Sequence, residues 1–203
     1  MKSALPCHGI PQAVIRRLVS GALQRRPVTS RETWEEAVRY LFDEAMFRDE
    51  RWAAIEIATR RPFRRWHGPD SLPLAAHLVT TGAWWDLVDP VSTGLVGSIL
   101  LAHRPETTPI LVGWATADDL WLRRSAIIAQ LAHKTWTDPD LLSYALGQNL
   151  EGSRYGSEFF IRKAIGWALR QYGRTDPDWV RTFVDAHAAR LSGLSRREAL
   201  KHL

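Results

Sequence analysis

Cysteine is almost missing from this 203-residue chain, where Cys7 stands alone. No intrachain disulfide can form, and a reducing cytosol is the expected setting. No apolar run approaches the ~20 residues that a membrane helix needs. The first nine residues lack the apolar segment of a secretory signal. The expected protein is therefore cytoplasmic, with no membrane partner. Period-two alternation never lasts long enough to mark a strand. The seven histidines show no His-Glu-x-x-His spacing and have no cysteine partners, so no metal site is expected. Neither a Gly-x-x-x-x-Gly-Lys-[Ser/Thr] loop nor a Gly-x-Gly-x-x-Gly turn occurs, so no nucleotide cofactor is expected either.

Positive charge and tryptophan are abundant. The net charge is +5, and Arg supplies 23 of the 27 basic residues. Arg forks onto phosphate oxygens, so such a chain leans toward nucleic acid, although an Arg-rich codon preference gives the same composition. The charge is uneven. Residues 1–31 carry six basic residues and no acid, and residues 151–203 carry ten bases against six acids. A basic start and a basic end suit a curved body that grips a polyanion at both ends. Ten tryptophans are present, and most are expected in the core.

Helix is expected nearly throughout. Breakers at Pro62, Gly68-Pro69, Arg104-Pro105, Asp138-Pro139, Gly152, Gly156, Gly173 and Asp176-Pro177 divide apolar stripes of helical spacing. One long helix is expected over 84–102 and another over 118–133. The chain also repeats itself. Trp121-Leu122-Arg123-Arg124-Ser125-Ala126-Ile127 resembles Phe160-Ile161-Arg162-Lys163-Ala164-Ile165, with Ala126 and Ala164 38 apart and Trp85 36 before Trp121. Helix pairs at that period predict an all-α solenoid forming one domain over 1–203. The repeated pairs Arg123-Arg124 and Arg162-Lys163 would then align as a phosphate track.

Trp84-Trp85-Asp86-Leu87-Val88-Asp89 is the stretch with chemical potential. Trp85 and Asp89 are four apart and share one helix face. An aromatic plane beside a carboxylate suits an electron-poor sugar. The alternative is that Asp89 caps a helix starting at Pro90, with both tryptophans in the core.

These segments, together with Phe159–Arg170, the tail Leu191–Leu200 and the beginning Cys7-His8-Gly9-Ile10-Pro11, resemble the HEAT-like-repeat DNA alkylation repair glycosylases (AlkD-like) along nearly the whole chain. The resemblance implies a solenoid whose concave face binds duplex DNA independently of sequence. It implies a monofunctional enzyme that hydrolyses the N-glycosidic bond of cationic N3- or N7-alkylated purines without base flipping. Trp85 and Asp89 match the family's aromatic and carboxylate positions, Arg124 its active-site arginine, and Trp167 its second aromatic. Arg123, Arg162 and Lys163 would hold phosphates. For Arg124 the alternatives are a generic phosphate contact or an ion pair with Asp118 or Asp119, and for Trp167 helix packing. The chain is expected to act as a monomer in a bacterial cytoplasm, on the nucleoid when bound. Two departures define the alternative expectation of a weakly active or inactive DNA-binding relative. The chain starts almost at Gly9-Ile10-Pro11, where family members have further helical sequence, and Pro90 follows Asp89 directly. A HEAT-type protein scaffold is the third reading.

Overall fold

The structure, a computed structural model, describes residues 5–203. Twelve α-helices and no strand occur among them. Helices α1 (Gln12–Arg25), α3 (Arg48–Thr59), α5 (Trp85–Pro90) with α6 (Gly97–Ala102), α8 (Leu120–Ile128), α10 (Phe159–Tyr172) and α12 (Gly193–Ala199) pack side by side in chain order. A second row lies behind them. There α2 (Arg31–Asp43) rests on α3, and α4 (Leu72–Gly82) on the α5–α6 rod. Next, α7 (Arg104–Thr116) and α9 (Pro139–Gly147) rest on α8, and α11 (Pro177–Ala186) on α10 and α12. This two-row stack is an α-solenoid, as the sequence period predicts.

Side-chain caps explain where many helices begin. Ser30 Oγ accepts from the Thr33 amide at 3.2 Å, Asp119 from Trp121 and Leu122 at 2.8 Å, and Asp176 from Trp179 at 2.9 Å. Asp138 does the same for α9, one residue before Pro139. The start of the chain is tied to α3. Asp49 accepts from the amides of His8 at 2.8 Å and Ile10 at 3.0 Å, with Gly9 between them at φ +72°. Burial alone would raise the Asp49 carboxyl, but those two amides and the Cys7 thiol outweigh it and hold it low.

The expected single helix over 84–102 is instead a rod in three parts. Between α5 and α6, residues Val91–Val96 form a π-helical turn. Pro90 is the cause: without an N–H it cannot continue the α-helical ladder. The Ser92 hydroxyl donates to Val88 O at 2.7 Å, and Thr93 to Asp89 O at 2.8 Å. These bonds serve carbonyls along the altered stretch.

Two apolar clusters form the core, one under α1–α6 and one under α8–α12, and Trp114 packs against both. Most tryptophans belong to the core, as expected: Trp34 lies within a cluster, and Trp52, Trp66, Trp114, Trp121, Trp167 and Trp179 pack against one. Only Trp34 is fully buried, seven are partly buried, and Trp85 and Trp136 are exposed. Tryptophan is large enough to cover a neighbour while keeping an edge at the surface.

Candidate functional site

The front row delivers one open hollow, lined from α5, α8, α10 and α12. Trp84 is extended at the N-cap of α5 and turns its ring into an aromatic cluster. Its ring lies edge-on to Phe160 at 5.1 Å and 6.1 Å from Trp121. Trp85 begins the helix and faces outward, 48% exposed. One turn later Asp89 enters the same hollow.

Asp89 meets Arg124 of α8 in a two-pronged pair. Arg124 Nε donates to Oδ1 at 2.7 Å and Nη2 to Oδ2 at 2.8 Å, while Nη1 donates to Phe160 O at 2.5 Å. The Arg124 side chain is only 5% exposed and Asp89 13%. A planar fork on both oxygens fixes the carboxylate in rotation as well as position. So Asp89 is no helix cap: it lies inside a helix and its side chain serves Arg124. The possible partners of Arg124 are otherwise engaged. Asp119 caps α8, and Asp118 pairs with Arg154 at 2.5 Å. A buried fork committed to Asp89 is poorly placed to hold a DNA phosphate as well.

Helix α10 supplies Phe159, Phe160, Lys163, Trp167 and Arg170 to the hollow, and α12 supplies Glu198. Trp167 therefore lines the site and also packs against the core. Arg123 does not reach it. It is 6% exposed, with Nε donating to Ala117 O at 2.6 Å, Nη2 to Thr116 O at 2.9 Å and Nη1 to Asn149 Oδ1 at 3.3 Å. It ties the α7–α8 turn to the end of α9, which corrects its expected phosphate role. Arg162, half-buried with its Nε unpartnered, is not among the residues that line the hollow. Lys163 reaches it, bonded to Glu198 Oε1 at 3.2 Å. The phosphate track drawn from adjacent basic pairs fails for a simple reason: neighbours on a helix point about 100° apart, so both cannot face one groove.

Phe159, Phe160, Arg170 and Glu198 had no site role in the sequence reading. The signal for Glu198 was the repeat itself. Front-row contacts join residues one repeat apart: Asp89 and Arg124 by 35, Arg124 and Phe160 by 36, Lys163 and Glu198 by 35, Arg48 and Asp86 by 38. Among the described residues, no three His, Cys, Asp or Glu side chains gather as a metal site, and no helix is long and apolar enough to cross a membrane.

The sequence pattern of one protein family, described as DNA alkylation repair enzyme, matches residues 1–203. The chain belongs to that family. A solved structure described as a predicted DNA alkylation repair enzyme from Enterococcus faecalis is similar, with 30% identity and a TM-score of 0.85. The likeness covers 98% of this chain and 89% of that one. No match was found among curated proteins. Membership in a DNA alkylation repair family makes DNA the partner.

Proposed function

We propose that this DNA alkylation repair enzyme is a monofunctional glycosylase. It would hydrolyse the N-glycosidic bond of cationic N3- or N7-alkylated purines in duplex DNA. The observation that carries this reading is the Asp89 carboxylate, locked by both oxygens onto buried Arg124 and open to a hollow lined by Trp85, Phe159, Phe160 and Trp167.

The chemistry follows from the substrate. An alkylated purine already bears the positive charge that an acid would otherwise have to supply. As the C1′–N bond breaks, the base leaves with the electron pair as a neutral alkylpurine. The sugar becomes oxocarbenium-like. Water adds its oxygen to C1′ and releases one proton to solvent. Asp89 faces the developing sugar cation, and each of its oxygens keeps a lone pair after accepting from Arg124. One such lone pair suits the attacking water. Trp85, outward on the same helix face, would pack on the deoxyribose. Arg124 acts through Asp89 as a positioning residue. The hollow is open rather than deep, which fits hydrolysis without flipping the base out of the stack. Pro90 does not disturb this arrangement, since the π turn absorbs it beyond Asp89.

The test is single-turnover release of N7-methylguanine and N3-methyladenine from duplex DNA. Asp89→Asn keeps shape but removes charge, and excision should slow by roughly 10²–10³-fold. Duplex affinity should hold or rise slightly, because an anion leaves a polyanion's site. Unchanged excision with a lowered melting temperature would make Asp89 purely structural and end this reading.

A further inference from the structure

On the far side of the hollow from Asp89, a second carboxylate holds two cations. Glu198 of α12 accepts from Lys163 Nζ at 3.2 Å through Oε1 and from Arg170 Nη1 through Oε2. Both cations come from α10 and lie seven residues apart, two turns along one helix face. None of the three is sealed from water: their side chains are 39%, 26% and 21% exposed for Lys163, Arg170 and Glu198. All three line the hollow. The Lys163 hydrogen bond above all lowers the Glu198 carboxyl; burial opposes it, and the charges of Lys163, Arg170 and Lys201 help keep the carboxyl below its ordinary range, so it is ionised at neutral pH.

We propose that Glu198 is a displaceable internal counterion. In the free protein it occupies Lys163 and Arg170 much as a phosphate would, and DNA must take both cations from it to gain those two backbone contacts. The proposal rests on the DNA-binding reading of the hollow. Its physical basis is competition. A carboxylate fixed between two partly exposed cations stands where a phosphate would bind, and it repels the approaching backbone. Contrast Arg124, whose buried pair with Asp89 is inaccessible to such exchange. The two carboxylates of the site thus have different duties: one faces the sugar, and the other limits the grip on the backbone.

The test measures duplex affinity against salt for the wild type and Glu198→Gln, using undamaged and N7-methylated duplexes. Each phosphate contact contributes about −0.9 to the slope of log affinity against log salt. Glu198→Gln should steepen the slope by about 1–2 and tighten both duplexes by the same factor, roughly 3–10-fold at moderate salt. In a background already carrying Lys163→Gln and Arg170→Gln, Glu198→Gln should leave the slope unchanged. A folded Glu198→Gln protein with the wild-type slope, or with weaker binding, would overturn the proposal and show a merely structural bridge. If Glu198→Gln fails to fold, Glu198→Asp withdraws the charge by one methylene and reads the same way: a steeper slope supports the proposal and an unchanged slope overturns it. Failure of the wild type to bind any duplex at low salt would instead remove the DNA reading itself.

Discussion

His67 shows how a single side chain can record its surroundings. It is 4% exposed, its ring centroid lies 5.7 Å from that of Trp34, and Nε2 sits 2.9 Å from Ala58 O. A carbonyl only accepts, so Nε2 carries the proton, while Nδ1 lies 2.6 Å from Ser98 Oγ. Burial, partly countered by the Ala58 carbonyl and reinforced by the Arg64 charge, lowers its pKa to about 4. The unfolded chain binds a proton below about pH 6.5, whereas the folded chain does not until about pH 4. Stability from this residue is thus full above pH 6.5 and is lost as pH falls toward 4, by about 3 kcal/mol in all. His133, lowered by burial, works in the same direction. Asp49 and Glu198, both held low, lose their contributions only as pH falls below ordinary carboxylate values. Melting temperature should therefore rise with pH between 4 and 6.5, and His67→Asn should flatten that rise. A wild-type melting temperature that is level across this range would contradict the assignment. None of this was legible in the sequence, where seven histidines without partners look alike. That Asp89 and Trp85 share one hollow was legible, because a spacing of four puts them on one helix face. Arg123 misled, because one sequence position decides whether a basic side chain faces solvent or ties a turn.

The helix boundaries show what sequence patterns cannot carry. Pro90 announced a disturbance, but only the hydroxyls of Ser92 and Thr93 explain why the rod continues through it as a π turn. The expected 118–133 helix stops at Ile128. Beyond it, Gln130 holds both backbone atoms of Asp138, accepting from its amide at 2.7 Å and donating to its carbonyl at 3.1 Å. That contact lies eight residues away, out of reach of a periodicity argument. Helix α5 is pinned from two sides. Arg48 of α3 reaches back to Asp86 and Arg124 of α8 to Asp89. Two aspartates three residues apart should then answer differently to one change. Asp86→Asn leaves Arg48, with a side chain 4% exposed, without its charge partner and should cost about 3 kcal/mol of stability. Asp89→Asn strands Arg124, 5% exposed, in the same way and should cost a similar amount, but it alone should also slow excision. Urea titrations set beside excision rates distinguish them, and an equal loss of excision in both would break the distinction. Gly166 tests the α10–α12 contact. A Cβ there would lie 2.6 Å from Glu198 Cβ and 3.1 Å from Ser195 O. Gly166→Ala should therefore push α12 outward, cost about 1–3 kcal/mol, and loosen Glu198 from Lys163. A urea midpoint identical to that of the wild type would show that α12 yields freely.

For the whole molecule, the repeat period and the charge distribution act together. Contacts one repeat apart tie each front-row helix to its neighbours, and the hollow sits where α5, α8, α10 and α12 converge. The sequence placed its excess positive charge at the two ends of this stack. There α1 ends in Arg25 and its cap Arg26, both exposed, and α12 carries exposed Arg196 and Arg197. A duplex spanning the whole front row would meet both groups. Each phosphate neutralised releases counterions, so affinity should fall steeply with salt. Replacing Arg25 and Arg26 by Ala, or Arg196 and Arg197 by Ala, should each reduce the salt slope by up to about 2. Damaged and undamaged duplexes should lose equal affinity, because phosphate contacts position DNA without reading it. Excision by bound enzyme should be unaffected, since neither pair lines the hollow. Anisotropy titrations at several salt concentrations measure the slopes. An unchanged slope for the Arg25 and Arg26 pair, with a reduced slope for Arg196 and Arg197, would confine the DNA to the α12 end and reject the two-ended grip.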